Sequence, residues 1–351
     1  MKIEYFFPPF IIALIATPLL KLLADKLQLY ARTNQRTIHS RKIARIGGVA
    51  IYLAFVVTVL LMFELDKMVI GMLVGGSIIF FTGLIDDIHE VNAFVKLFMQ
   101  VVAAMVVIYI GGVSLDRFNL PFGLVITNHF ILDVITFVWI IGVINAINII
   151  DGLDGLAAGI CLIGLVTLLI IGLVFSGVSA LPFALILAAA LMGFLPYNFY
   201  PAKIFLGDGG AYFLGFMMAC ITMMSFKSTA FITMLLPFAL LFVPLMDSLI
   251  AIIRRKLSGQ KITVADKHHL HHILMIDLNL GHRRTVMVLY TITIIFGATA
   301  FLYRYDSFFG AMVLVFLIIL FEIFIEFTGM INPKYHPILS FFHWATKKKD
   351  E

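Results

Sequence analysis

The chain has 351 residues, of which 62% are hydrophobic and only 13% charged, with a formal charge of +5. Soluble domains carry about 25% charged residues, so a water-soluble globule is excluded. No basic domain lies outside the apolar stretches, which argues against nucleic acid as a partner, and both cysteines, Cys161 and Cys220, lie inside apolar segments, so no disulfide framework is indicated.

Apolar runs of roughly 17–25 residues recur along the whole chain, each long enough to cross about 30 Å of hydrocarbon as a helix. They fall at 5–24, 46–63, 68–85, 95–112, 131–147, 156–176, 179–195, 209–226, 229–253, 286–303 and 307–328. Nothing alternates in the ten-residue pattern of a membrane β-barrel. The expected fold is an all-α polytopic integral membrane protein, a single domain over 1–351 with about eleven transmembrane helices.

The first run has no basic region before it and no small-residue cleavage site after it, so it reads as a span rather than a signal peptide. Its positive charges follow it, which places the N-terminus outside. Lys2, Lys67, Arg117, Lys227 and Arg304 are the only basic residues on the even side, and the other 20 of 25 (25 − 5) lie in or beside odd loops or in the C-terminal tail. The positive-inside rule then puts the odd loops and the C-terminus in the cytoplasm. Those loops lie near 25–45, 86–95, 145–156, 196–210 and 254–285. On the outer side, 113–128 divides two apolar runs with Asn119-Leu-Pro-Phe-Gly123 and reads as a hairpin. Pro237 and Pro244 are expected to kink the ninth span. That span would be about 37 Å long as a helix, so Arg254-Arg255-Lys256 should project into the cytoplasm. The tail 331–351, ending in a lysine run, reads as an interfacial anchor.

Nearly every concentrated polar cluster falls in a loop expected to be cytoplasmic. Asp86 and Asp87 close the third span, followed by Lys96 and Gln100; adjacent acids at a membrane boundary need water, a cation or a partner. Asn145, Asn148, Asp151 and Asp154 recur every three residues, interrupted by Gly152 and Gly155, which predicts a loop in which Asp151 or Asp154 caps the sixth span. Amides and carboxylates at that density suit hydrogen bonding to a sugar or nucleoside. Asn198 through Phe205-Leu-Gly-Asp208-Gly-Gly210 leads into the eighth span, where glycines let backbone N–H groups approach an oxyanion and Asp208 can ligate Mg²⁺. Asp266-Lys267-His268-His269-Leu270-His271-His272 invites a zinc reading, but no Cys or Glu stands at suitable spacing beside it. Histidines beside Lys267, Arg283 and Arg284 suit a phosphate better.

The order Asp-Asp, Asn-x-x-Asn-x-x-Asp-Gly-x-Asp-Gly, Phe-Leu-Gly-Asp-Gly-Gly and His-Leu-His-His resembles the polyprenyl-phosphate N-acetylhexosamine-1-phosphate transferases. The likeness extends from Arg36-Thr-Ile-His39 and Arg45-Ile-Gly47-Gly48 to the last loops. It is nearest to the branch acting on undecaprenyl phosphate and N-acetylglucosamine. The resemblance implies transfer of a sugar 1-phosphate from a UDP-sugar to a polyprenyl phosphate with release of UMP, supported by Mg²⁺ with Mn²⁺ as the alternative. It implies Asp208 as metal ligand, and Asp86 and Asp87 as the pair that activates or orients the acceptor phosphate. Lys96 is then its phosphate-binding lysine, and Asn148 and Asp151 serve on the pyrophosphate and metal side. Asp154, Asn198 and Phe205 match nucleoside contacts, with Phe205 suited to stacking on uracil; Asn145 joins the polar set, His269, His271 and His272 form the histidine motif, and Arg254 or Arg255 meets donor phosphates. Direct attack and an aspartyl-phosphate intermediate are both compatible with this set.

Leu270 interrupts the histidines, unlike the three contiguous histidines of the peptidoglycan branch, which favours UDP-N-acetylglucosamine over UDP-N-acetylmuramoyl-pentapeptide. Gly-Asp-Gly-Gly stands where Gly-Asp-Ser-Gly is common in the N-acetylglucosamine branch, which removes a hydroxyl and leaves the Asp. The expected product primes a teichoic acid, an O-antigen or a related glycan. The expected setting is the bacterial plasma membrane, and a homodimer is compatible with the reading. An anion or nucleotide-sugar transporter is the alternative from another class. It would want ionisable groups near the bilayer midplane, whereas Asp86, Asp151, Asp208 and Asp247 fall near span ends.

Overall fold

A computed structural model describes residues 3–28, 43–119, 125–175, 180–226, 235–259, 268–331, 337–338 and 340. The Arg36–His39 motif, Asp266-Lys267 and the terminal lysines lie outside the described residues. Helices occupy every predicted apolar stretch: α1 (Phe7–Leu27), α2 (Gly48–Met62), α3 (Lys67–Ile88), α4 (Ala93–Met105), α5 (His129–Ile150), α6 (Leu156–Val174), α7 (Leu181–Asn198) and α8 (Gly207–Phe226). They continue as α9 (Leu235–Leu240), α10 (Phe242–Leu257), a single turn α11 (Leu270–His272), α12 (Gly281–Tyr305) and α13 (Ser307–Thr328). Eight helices, counted among the described residues, are long and apolar enough to cross a membrane, and α2 is a shorter apolar helix. The protein is an all-α polytopic membrane protein.

The predicted outer hairpin is present as β1 (Phe118–Asn119) and β2 (Val125–Ile126), antiparallel, with Phe118 opposite Ile126 and Asn119 opposite Val125. The ninth stretch breaks as its prolines require. α9 ends at Leu240 and α10 restarts at Phe242 with Pro244 in its first turn, where a missing N–H does no harm. α4 runs on as a π-helical turn, Val106–Ile110, and then stops at Gly111-Gly112, the second glycine taking φ +63°.

Caps divide by end. Asp66, Asn128 and Asp306 each accept a backbone N–H at the start of α3, α5 and α13, on the side predicted to be outer. The expected Asp cap of the sixth span is absent. Gly155, at φ +76°, occupies the N-cap of α6 without a side-chain bond, because only a residue free of Cβ strain turns the chain there. Asp151 and Asp154 are thereby released for other contacts. α5 also runs further than predicted, to Ile150, so Asn145 and Asn148 are helical and Asp151 is its C-cap residue.

α8 is the central post. Its side chains are buried on all faces from Gly209 to Ser225, as expected of a helix apolar all round. It packs on α2, α3, α5, α6 and α7, and its glycine-rich start sits deep between neighbours. A Cβ on Gly48 of α2 would collide with the backbone of Gly210, and one on Gly83 of α3 would collide with the Asp208 carbonyl. Small residues of this kind let helix axes approach where lipid supplies no hydrophobic drive. Those two contacts bring the start of α2 and the end of α3 against the start of α8.

Candidate active site

The acids that close α3 do not form a solvated helix end. Asp86 is 8% exposed, forms an ion pair with Lys96 of α4, and accepts the Val91 N–H at 2.8 Å through Oδ1, which folds the α3–α4 turn back on itself. Asp87 accepts the Gly209 N–H of α8 at 3.1 Å through Oδ2. Its other oxygen, Oδ1, is buried and has no hydrogen-bond partner among the described residues. A buried acceptor left this way is costly unless it meets a ligand, an ion or water.

Asp208 stands in the first turn of α8, where its Oδ1 accepts from Asn148 Nδ2 of α5 at 3.2 Å. The Asp86 and Asp208 carboxyls adjoin one another. Asp151 follows the end of α5 outside the helix. Part of the residue meets solvent, but burial of its carboxyl, with the charges of Asp208 and Asp87 adding, pushes its pKa up to about 8. Arg45, in the strand-like segment ahead of α2, is close enough to act on Asp87, Asp151 and Asp208. Carboxyls from α3, α5 and α8 thus converge at one end of the bundle, countered by Lys96 and Arg45. Arg45 is not among the expected site residues; its place two residues ahead of Gly47-Gly48 is the signal for it.

Several predicted ligand residues prove to hold the loops around that centre. Asp154 accepts the Ala202 N–H at 2.9 Å, and Asn198 donates to the Ile204 carbonyl at 3.0 Å, both buried. Phe205 is half-buried, and its backbone pairs with the segment ahead of α2: its N–H donates to Ala44 at 2.8 Å and its carbonyl accepts from Gly47 at 2.9 Å. Asn145 makes a two-way amide clasp with Gln100, 2.8 Å and 3.2 Å, which ties α5 to the helix that carries Lys96. Arg254 donates to the Met330 carbonyl at 2.8 Å and is 8% exposed, so at least one arm of its guanidinium braces α10 against the end of α13; Arg255 is half-buried.

The histidine segment does reach the centre. His271, 2% exposed, lies over Gly152, where a Cβ would collide with its Nε2. Burial drives its pKa down to about 3, so the ring is neutral. His269 and His271 have nearly parallel rings 5.9 Å apart, and the His272 ring is 4.3 Å from His271. On the other side of the same loop, the Tyr290 hydroxyl of α12 donates to the Gly155 carbonyl at 2.5 Å. A tyrosine in an apolar span gave no signal of this. His282 stacks on Tyr200 at 4.3 Å with the Arg283 guanidinium 5.6 Å from the same ring, joining the 199–203 loop to α12.

The profile of the family described as Glycosyl transferase family 4 matches residues 69–226, from α3 through α8, the stretch that brings Asp86, Asp87, Asp151 and Asp208 together. A Bacillus subtilis (strain 168) protein named a probable undecaprenyl-phosphate N-acetylglucosaminyl 1-phosphate transferase is 36% identical over 342 residues, covering 95% of this chain and 94% of its own. The chain belongs to glycosyl transferase family 4. A Mycobacterium leprae decaprenyl-phosphate N-acetylglucosaminephosphotransferase is 34% identical over 314 residues, covering 80% of this chain and 78% of its own. A Thermotoga maritima undecaprenyl-phosphate alpha-N-acetylglucosaminyl 1-phosphate transferase is 27% identical over 288 residues, covering 82% and 86%. In this family 4 chain the histidine segment and Asp247 lie beyond the profile match.

Proposed function

We propose that this chain transfers N-acetylglucosamine 1-phosphate from UDP-N-acetylglucosamine to undecaprenyl phosphate, releasing UMP, as the first membrane step of a cell-envelope glycan such as a teichoic acid or O-antigen. The observation that carries the reading is the meeting of Asp86, Asp87, Asp151 and Asp208 with Lys96 and Arg45 at one end of an apolar bundle. A soluble anionic donor and a lipid phosphate can both reach a site at that boundary. The names of the relatives support the donor and acceptor.

In the reaction an acceptor phosphate oxygen forms a bond to the sugar-proximal phosphorus as the bond from that phosphorus to the UMP oxygen breaks. Lys96, held by Asp86, is placed to attract the acceptor phosphate, and Asp87 to orient it through its unpartnered oxygen. Asn148 holds Asp208 by one oxygen and leaves the other toward the acid cluster. Arg45, which acts on Asp87, Asp151 and Asp208, offers the donor a second cation.

The residues fit a divalent cation of the Mg²⁺ class. Too few cations offset the converging carboxyls, and one buried oxygen lacks a partner. Among the described residues no three acids or histidines form a ready cage, which suits Mg²⁺ bound by one or two carboxylates together with substrate phosphates. When bound, such an ion neutralises charge on the pyrophosphate. Asp208 would hold it, with Asp87 or Asp151 beside.

We infer eleven crossings, with the N-terminus outside, the C-terminus in the cytoplasm and the site facing the cytoplasm of the plasma membrane. The basic residues of the odd loops support that orientation. Purified protein with polyprenyl phosphate and Mg²⁺, offered UDP-N-acetylglucosamine or UDP-N-acetylmuramoyl-pentapeptide separately, should release UMP with the first donor only, and chelation should stop it. Release with neither donor from folded protein would overturn the proposal.

A further inference from the structure

Asp247 belongs to none of the clusters above, yet it is one of the most deeply placed charged residues of the bundle. It lies on α10 with 0% exposure. Its two carboxyl oxygens face the same segment: Oδ1 accepts the Leu270 N–H at 2.7 Å, and Oδ2 is 3.1 Å from His269 Nδ1. A buried acid is tolerated only when its oxygens find donors. Here both are supplied by the residues on which the histidine turn begins, 22 and 23 positions away in sequence.

A carboxylate is an acceptor only, so against Asp247 the His269 ring must carry a proton at Nδ1. Nε2, on the far side of the ring, is then turned away from α10. The ring plane is fixed as well, since His269 lies nearly parallel to His271, and His271 lies over Gly152 in the Asp151 loop. A packed chain therefore runs from α10 through both histidines to the acid cluster.

We propose that Asp247 is a positioning residue for the transfer reaction, acting through His269, whose tautomer and ring orientation it fixes. The proposal rests on the transferase reading above. Asp247 touches neither substrate nor metal in this role. Its work is to hold the histidine segment against the Asp151 loop with Nε2 of His269 directed away from α10.

Asp247→Asn separates this role from simple bracing. The amide oxygen still accepts from Leu270, so the turn keeps its anchor, but the amide N–H₂ faces Nδ1 and moves the His269 proton to Nε2. Purified Asp247→Asn should keep the wild-type unfolding transition and lose turnover roughly ten- to a hundredfold, the loss falling on kcat rather than KM. In a His269→Ala background the same substitution should cause no further loss. An additive loss, or full activity of Asp247→Asn alone, would overturn the proposal. A second measurement needs no turnover. In ¹⁵N-histidine spectra of the full chain, the signals that vanish in His269→Ala should show the proton on Nδ1, and a proton on Nε2 alone would refute the assignment. If wild type released no UMP, the transferase reading would fall while this spectrum still decided the state of His269.

Discussion

Asp208 carries its weight through what surrounds it: Asn148 on one oxygen, Asp86 alongside, and the positive end of α8 beneath. Asp208→Asn keeps the shape and removes the charge, so turnover should fall at least about a hundredfold with the fold intact, read as UMP release at saturating Mg²⁺. Wild-type-like rates would remove the residue from its assigned place. Tyr290→Phe is a milder change. It loses the hydrogen bond to Gly155 and should lower stability by about 1 kcal/mol, measured as a shift in thermal unfolding in detergent. His271 supplies a pH dependence with a definite sign. Its folded pKa lies below the unfolded value, so burying the neutral ring stabilises fully above about pH 6.5 and loses ground as pH falls toward about 3. His271→Leu should therefore gain stability relative to wild type as pH drops from about 7 to about 5. A gap that stays constant would show that the ring is solvated.

Among elements, α8 decides the site. An apolar helix can be read from composition, but its central position follows from Gly48 and Gly83, which let α2 and α3 close on its first turn. Gly48→Ala puts a methyl into the Gly210 backbone, and the expected result is a loss of about 1–3 kcal/mol with reduced turnover, checked by unfolding and UMP release on the same preparation. The ninth stretch was legible as kinked because proline removes a backbone donor wherever it stands, and it does break, between α9 and α10. The start of α6 departs from the expected Asp cap for a physical reason. Asp near a helix start usually caps it, but here Asp154 bonds Ala202 across the loop, and Gly155 turns the chain without a cap.

At the scale of the whole molecule, the distribution of basic residues and the position of the acid cluster point to the same face. Cys161 and Cys220 are 0% exposed, so single added cysteines can be read against a silent background. Glu90→Cys, at the exposed turn after α3, should react with an impermeant thiol reagent only in inverted vesicles, and Arg117→Cys only in intact cells. Labelling of both from one side would overturn the orientation.

The sequence by itself determined where the apolar helices lie, because bilayer thickness fixes how long an apolar helix must be, and it placed the polar motifs at helix ends, because charge is expelled from hydrocarbon. It also gathered the acids of the site, since their residue types and spacing are local properties. Only the tertiary structure decided which polar groups meet. Asn148 reaches Asp208 across 60 residues and Asp87 reaches Gly209 across 122. Asp154 and Asn198 were found bonded to Ala202 and Ile204 of the neighbouring loop, and Asp247 emerged as the partner of His269. A buried polar group takes whichever donor or acceptor packing brings to it, and in a bundle that is set by helix neighbours rather than by distance along the chain.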